Sequence, residues 1–173
     1  MSTRTVLNSI PENTSFLEST KFIFTIPNLP FMKYFCQSIM LPGVSTSEAM
    51  VPTPFSETWR HGDKLVYEPF TISVLIDEDV KVWEETYNWL RALTFPHEFP
   101  EYANRYLTGG QKYYDGILQF NTNSNLDNIR IKFHNIHPIQ IGAIQMNTAD
   151  TPDTTPTSDM TFRYDTFHFE RDI

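Results

Sequence analysis

The chain has 173 residues with 21 acidic and 13 basic side chains, a formal net charge of -8, and this excludes tight nucleic-acid binding through clustered Lys and Arg. Its 40% hydrophobic, 20% charged and 14% aromatic content describes one globular domain able to bury its own core, with aromatics favouring strands and contact surfaces. A single cysteine, Cys36, excludes an internal disulfide, as in a cytoplasmic or assembly protein, and no stretch approaches the ~20 apolar residues that span a bilayer. Neither a signal peptide nor a membrane partner is expected.

Residues 1–19 are polar and aperiodic and read as an N-terminal arm. From Thr20 to Ile26, Phe22, Phe24 and Ile26 alternate with Lys21 and Thr25, the period of a first strand, which Pro27 and Pro30 close. A second strand is expected over Phe31 to Ile39, ended by Pro42-Gly43. Residues 44–63 hold Pro52, Pro54 and an Arg60-His61-Gly62-Asp63 turn, so an extended loop or long hairpin is expected, with Gly62-Asp63 supplying the reversal. Met50, Val51, Phe55 and Trp59 would be costly to leave in water. Against the alternative of a mobile loop, they point to contact with a neighbouring subunit.

The segment from Lys64 to Ile76 places Phe70, Ile72, Val74 and Ile76 on one face and Thr71 and Ser73 on the other, the pattern of a strand with one buried side. Asp77-Glu78-Asp79 ends it, and Asp77 or Asp79 can cap the helix expected over 79–93. In that helix Trp83, Tyr87 and Leu90 fall at i, i+4 and i+7. Widened by Val82, Trp89 and Leu93, this stripe is expected in the subunit's own core, with Lys81, Glu84, Glu85, Asn88 and Arg91 mostly off it. Pro96 and Pro100 stop the helix.

Residues 97–116 are irregular and aromatic. A hairpin follows, Ile117 to Phe120 and Ile129 to Phe133 around a turn-rich segment, with Ile129, Ile131 and Phe133 opposite Arg130 and Lys132. Ile139 to Met146 leads into a solvated loop over 147–159. The last strand is expected from Met160 to Phe169, where Phe162 and Tyr164 have one parity and Phe167 and Phe169 the other. Either a bulge near Asp165-Thr166 or burial of both faces accounts for that change.

The chemical motifs are sparse. His134-x-x-His137 lacks an evident third ligand for a metal site, and Asp77, Glu78 and Asp79 lack the Gly and distal Glu of an EF-hand. His97 and His168 stand alone, Cys36 reads as a buried thiol, and neither a phosphate-binding Gly loop nor a nucleophile elbow is present. No enzyme, metal or cofactor is expected. The enzyme alternative would be a small hydrolase using His134, His137 and an acidic residue.

In order and spacing the chain resembles the tail tube proteins of contractile-tailed phages and the related tube proteins of contractile injection systems. The resemblance rests on F-C-Q-S-I-M-L-P-G (35–43), P-T-P-F (52–55), G-D-K-L-V-Y-E-P-F-T-I-S-V-L-I-D-E-D (62–79), a helix with W-L (89–90), H-P-I-Q-I-G-A-I (137–144) and T-F-R-Y-D (161–165). Phe133, Pro138, Ile141, Gly142 and Ile144 fit the family's segment before its final strand. The resemblance implies a mainly β fold with one flanking helix, an antiparallel sandwich or small barrel whose hexameric rings join sheets edge to edge and stack into a tube. It further implies a virion tail protein assembled in the host cytoplasm, alongside sheath, baseplate or terminator proteins, through which DNA passes without specific binding. A tube initiator, a tail terminator and, from a different class, a stand-alone decoration module are the alternative roles. The lumen is expected to be net negative and free of Lys/Arg clusters, with Thr71 and Ser73 or Arg130 and Lys132 as the lining candidates by alternation; being basic, Arg130 and Lys132 should point outward or pair with carboxylates.

Overall fold

The computed structural model describes residues 15–94, 112–149 and 154–171. The strands are β1 (Phe22–Thr25), β2 (Cys36–Ile39), β3 (Val44–Pro52), β4 (Glu57–Tyr67), β5 (Phe70–Leu75), β6 (Tyr114–Asn121), β7 (Asp127–Ile141), β8 (Thr157–Arg163) and β9 (Thr166–Glu170). The described residues also form two helices, α1 (Met32–Phe35) and α2 (Lys81–Thr94). All strand pairs are antiparallel, in the order β1-β6-β7-β8-β5-β2 with β9 also on β7, while β3 and β4 pair only with each other.

β7 is long enough to serve two sheets. Its first half lies between β6 and β9, with Ile131 opposite Leu118 on one side and Phe169 on the other, and its second half pairs with β8. The halves β1-β6-β7-β9 and β7-β8-β5-β2 enclose a common core, in which Phe70 of β5 stacks on Phe133 of β7 at 4.9 Å and meets Phe24 of β1 edge-on at 5.6 Å. The alternation expected in β5 is realised, with Phe70, Ile72 and Val74 fully buried opposite Phe162, Met160 and Ser158 of β8.

Asp77 caps α2: its carboxylate accepts from the backbone N–H groups of Lys81 at 3.2 Å and Val82 at 3.4 Å. Val80, just before the helix, sits at φ 57°, a strained position for a β-branched residue. The buried line of α2 is Val82, Thr86, Trp89 and Ala92, which corrects the expected core stripe of Trp83, Tyr87 and Leu90. Those three form the shoulder: Trp83 and Leu90 are half-buried, and Tyr87 is exposed and stacks on Trp83. The helix is turned because Thr86, which an apolar count passes over, is satisfied in the core by donating its hydroxyl to Val82 O at 3.0 Å.

Several other expectations change for local reasons. Phe31 to Ile39 is not one strand: a helical turn carries Met32 into the core before β2 begins. Residues 44–63 form a hairpin whose reversal is at Thr53–Ser56, where Ser56 N donates to Thr53 Oγ1 at 3.1 Å, not at Gly62-Asp63. β7 continues through His134 and His137, and a register shift between Pro138 and Gln140 accommodates the proline. β8 starts at Thr157, inside the segment 147–159 expected as a loop, because the Ser158 hydroxyl is buried and donates to Gly142 O at 2.9 Å. The parity change after Tyr164 is a strand break: β8 ends, Asp165 N donates to His134 O, and β9 pairs with the other half of β7. Of the expected elements, most of the N-terminal arm, Pro96, His97 and Pro100 lie outside the described residues.

Gly142 accounts for one glycine of the family-like segment. Its N–H donates to Asp159 O at 2.6 Å, its carbonyl accepts from the Trp83 indole at 3.2 Å and from Ser158, and a Cβ there would lie 2.7 Å from Asp159 O. Gly142→Ala should therefore destabilise the subunit by about 1–3 kcal/mol in urea unfolding. Gly43→Ala, whose Cβ would meet only the flexible Glu68 carboxylate, should cost less; equal costs would refute the close-approach explanation.

Tyr164 packs its ring against Tyr67, Phe70 and Phe133, but its hydroxyl is buried without a hydrogen-bond partner among the described residues. Burial first, with Tyr67 nearby, pushes this phenol up to about 12. A raised tyrosine pKa means that ionisation disfavours the fold, so stability should fall as pH rises from 10 towards about 12. Tyr164→Phe should leave neutral-pH stability unchanged or raise it by about 1 kcal/mol, and should blunt the alkaline loss in thermal unfolding. A variant less stable than the parent at neutral pH would contradict this.

Candidate functional site

Among the described residues the most conspicuous surface features are an exposed hairpin and unpaired strand edges. Foremost is the β3-β4 hairpin, which at about 3.3 Å per residue extends about 30 Å. Every residue of β3 is exposed, and β4 is exposed except near Gly62 and Tyr67. Met50 lies opposite Trp59 in register, Trp59 is 59% exposed, and Phe55 at the turn is 99% exposed. An isolated two-stranded ribbon is marginal in water, and this one carries apolar side chains into solvent.

Among the described residues the hairpin is anchored at its foot. Glu68 N donates to Gly43 O at 3.1 Å, and the Tyr67 ring packs on Tyr164 and Phe167. Midway, Thr46 faces Leu65 but Glu48 faces His61, a bulge in β4 that contains Gly62. A Cβ at Gly62 would come within 1.9 Å of Ser47 Oγ and 2.5 Å of Ser47 O, so only glycine fits there.

A second surface is the pair of strand edges ending the β7-β8-β5-β2 sheet. β2 pairs with β5 alone, and residues 138–141 of β7 pair with β8 on one side, while the β6 pairing stops at Ile136. Pro138 at this second edge lacks an N–H to satisfy. Between the edges the outer face is rich in hydroxyls: Thr71 lies opposite Thr161 with oxygens 3.2 Å apart, and Ser73 lies opposite Asp159. The one arginine of that parity in β8, Arg163, donates to Tyr67 O at 3.3 Å.

The cationic alternation noted in the sequence lies on the other sheet. Arg130 pairs with Asp127, and Lys132 Nζ is 3.4 Å from Asp115 Oδ2, so both meet carboxylates.

No group of three His, Cys, Asp or Glu side chains is arranged for a metal among the described residues. His134 and His137 lie on either side of the irregularity at Asn135 and have different neighbours: His137 meets the Tyr113 ring edge-on at 5.1 Å, while its Nδ1 lies 3.2 Å from Asn135 O. His134 instead meets His168, a partner that no short-range pattern could reveal. Burial pushes the Cys36 thiol up to about 11, an unreactive setting. The Glu85 carboxyl is also raised, by burial and by Asp77 and Glu84 beside it.

The chain's fold matches that of solved assembly proteins. The tube-terminating cap of the anti-feeding prophage superposes with a TM-score of 0.68 at 9% identity, covering 96% of this chain and 99% of that one. A chain of the PVC sheath-tube complex, from an extracellular contractile injection system, gives 0.63 at 9% identity, covering 99% and 100%. A chain of the anti-feeding prophage baseplate gives 0.61, again at 9% identity, covering 92% and 98%. No curated protein matches at a significant level. The sequence profile described as phage tail tube protein matches residues 9–170, nearly the whole chain, and the protein therefore belongs to the phage tail tube protein family, the structural proteins of the tail.

Proposed function

We propose that this chain is the major tube subunit, assembled in the host cytoplasm into stacked hexameric rings that form the DNA conduit of a contractile tail. One observation carries the reading: among the described residues, the four-stranded sheet of β2, β5, β8 and the second half of β7 has an unpaired edge at each end. Two different edges joined head to tail are a heterologous contact, which closes into a ring when the rotation permits and leaves no strand edge open. In such a continuous sheet the face bearing Ile72 and Met160 is already filled by the core. The face of Thr71, Ser73, Asp159 and Thr161 then lines the lumen.

That lining suits passage over capture. Phosphate binding strengthens with each accessible Lys or Arg, and repeated around a ring and along a tube such contacts would hold the polymer. Hydroxyls with one carboxylate give no such grip. The hairpin, with Met50, Val51, Phe55 and Trp59, packs on a neighbouring subunit, and sheath, baseplate and terminator proteins meet the remaining surfaces. The protein's work is mechanical, without a catalytic step.

Negative-stain electron microscopy of the purified protein tests the assembly directly. Sixfold rings and stacked tubes are expected; a protein monomeric at high concentration would overturn the reading, and single rings that never stack would favour an initiator or terminator role. The Phe55→Ala, Trp59→Ala double variant should keep its unfolding free energy within about 0.5 kcal/mol per site, because both side chains are solvated in the subunit. It should nonetheless polymerise poorly, and normal polymerisation would show the hairpin to be free of contacts. For the lumen, Thr71→Lys with Ser73→Lys should give tubes of normal appearance whose particles deliver DNA inefficiently. Unimpaired delivery would place that face elsewhere.

A further inference from the structure

We infer that His134 and His168 form a proton-operated clasp that fastens β9 to β7, closed when the two imidazoles share one hydrogen and opened when both carry one. The rings stack with centroids 4.9 Å apart and planes 18° apart, and His134 Nε2 lies 2.9 Å from His168 Nδ1. Each outer nitrogen faces a carboxylate: His168 Nε2 is 3.0 Å from Glu170 Oε1, and His134 Nδ1 is 3.5 Å from Asp115 Oδ2. An ionised carboxylate only accepts, so His168 Nε2 carries hydrogen, and in the neutral pair the inner hydrogen is on His134 Nε2, donated to the lone pair of His168 Nδ1. A second inner hydrogen sets two donors against each other at hydrogen-bond distance, and the rings must part.

The surrounding charges suit such a device. From β6, Asp115 faces His134; from β7, Lys132 reaches Asp115 at 3.4 Å, and Arg130 lies opposite Glu170 in register while paired with Asp127; from β9 come His168 and Glu170. Burial works against ionisation of Asp115, but hydrogen bonds from Asn135 N and Lys132, with His134 beside it, hold its carboxyl low. It therefore stays an acceptor when the imidazoles take up protons. The clasp bridges diagonally across the ladder, since His134 lies opposite Thr166 and His168 opposite Lys132. Its opening loosens a strand whose Phe167 ring backs Tyr67 at the hairpin foot.

Amide hydrogen exchange of the full chain at about pH 7.5 and about pH 5, corrected for intrinsic chemical rates, tests the clasp. The β9 amides from Thr166 to Glu170 should open about fivefold more often at the lower pH, as expected for loss of one hydrogen bond, while those of β5 stay unchanged. His168→Phe keeps a stacked ring without a second titrating nitrogen and should abolish the difference. Equal β9 opening at both pH values in the parent, or a full difference in His168→Phe, would overturn the clasp. Imidazole 15N spectra of the parent need no variant: three ring N–H hydrogens across the pair before the fourth is gained supports the inference, and two rings titrating independently refutes it.

Discussion

The fold depends on one strand belonging to two sheets. β7 is 15 residues long, and no other element could link the β1-β6-β9 side to the β8-β5-β2 side through continuous backbone pairing. Its buried residues Ile131, Phe133 and Ile136 serve one stretch of the core. A change of partner takes place around Asn135, at φ 55°, and Pro138, at a register shift. Phe133 stacked on Phe70 ties the two sheets together where they would otherwise diverge. Removing that aromatic contact would loosen both at once, which sets this strand apart from an edge strand that frays alone.

From that division follows the separation of tasks. The two sheets and α2 fill the core and use up the apolar faces, so the surfaces left over are edges, a hydroxyl face and an arm. Phe55, almost wholly in water, is the side chain that packing within the subunit does not account for.

Much of this was legible in the sequence. The alternation of Phe70, Ile72 and Val74 fixed β5, and Asp77 announced the helix start, because both signals act within a few residues. The exposed hairpin residues were legible because no local core was available to cover them. The apolar stripe of α2 was misread by about one residue, since Thr86 is buried by a hydrogen bond that hydrophobicity does not register. The position of the hairpin turn, the partner of His134 and the tight seat of Gly142 depend on residues distant in the chain, with Asp159 meeting Gly142 across a loop and His168 meeting His134 across β8. No periodicity encodes such meetings.

The bulge at Gly62 has a consequence for how the arm forms. A ribbon of two strands with exposed faces has little side-chain burial to choose one register over its neighbours. Here Gly62, seated against Ser47, interrupts the ladder between a foot held by Tyr67 and a tip closed by Thr53 and Ser56. A slip that starts at the tip would have to push a Cβ-bearing residue into the seat that only glycine fits, so the error stops there. The bulge acts as a ratchet tooth: it confines mispairing to the outer strand segments and holds Met50 opposite Trp59 in a single register.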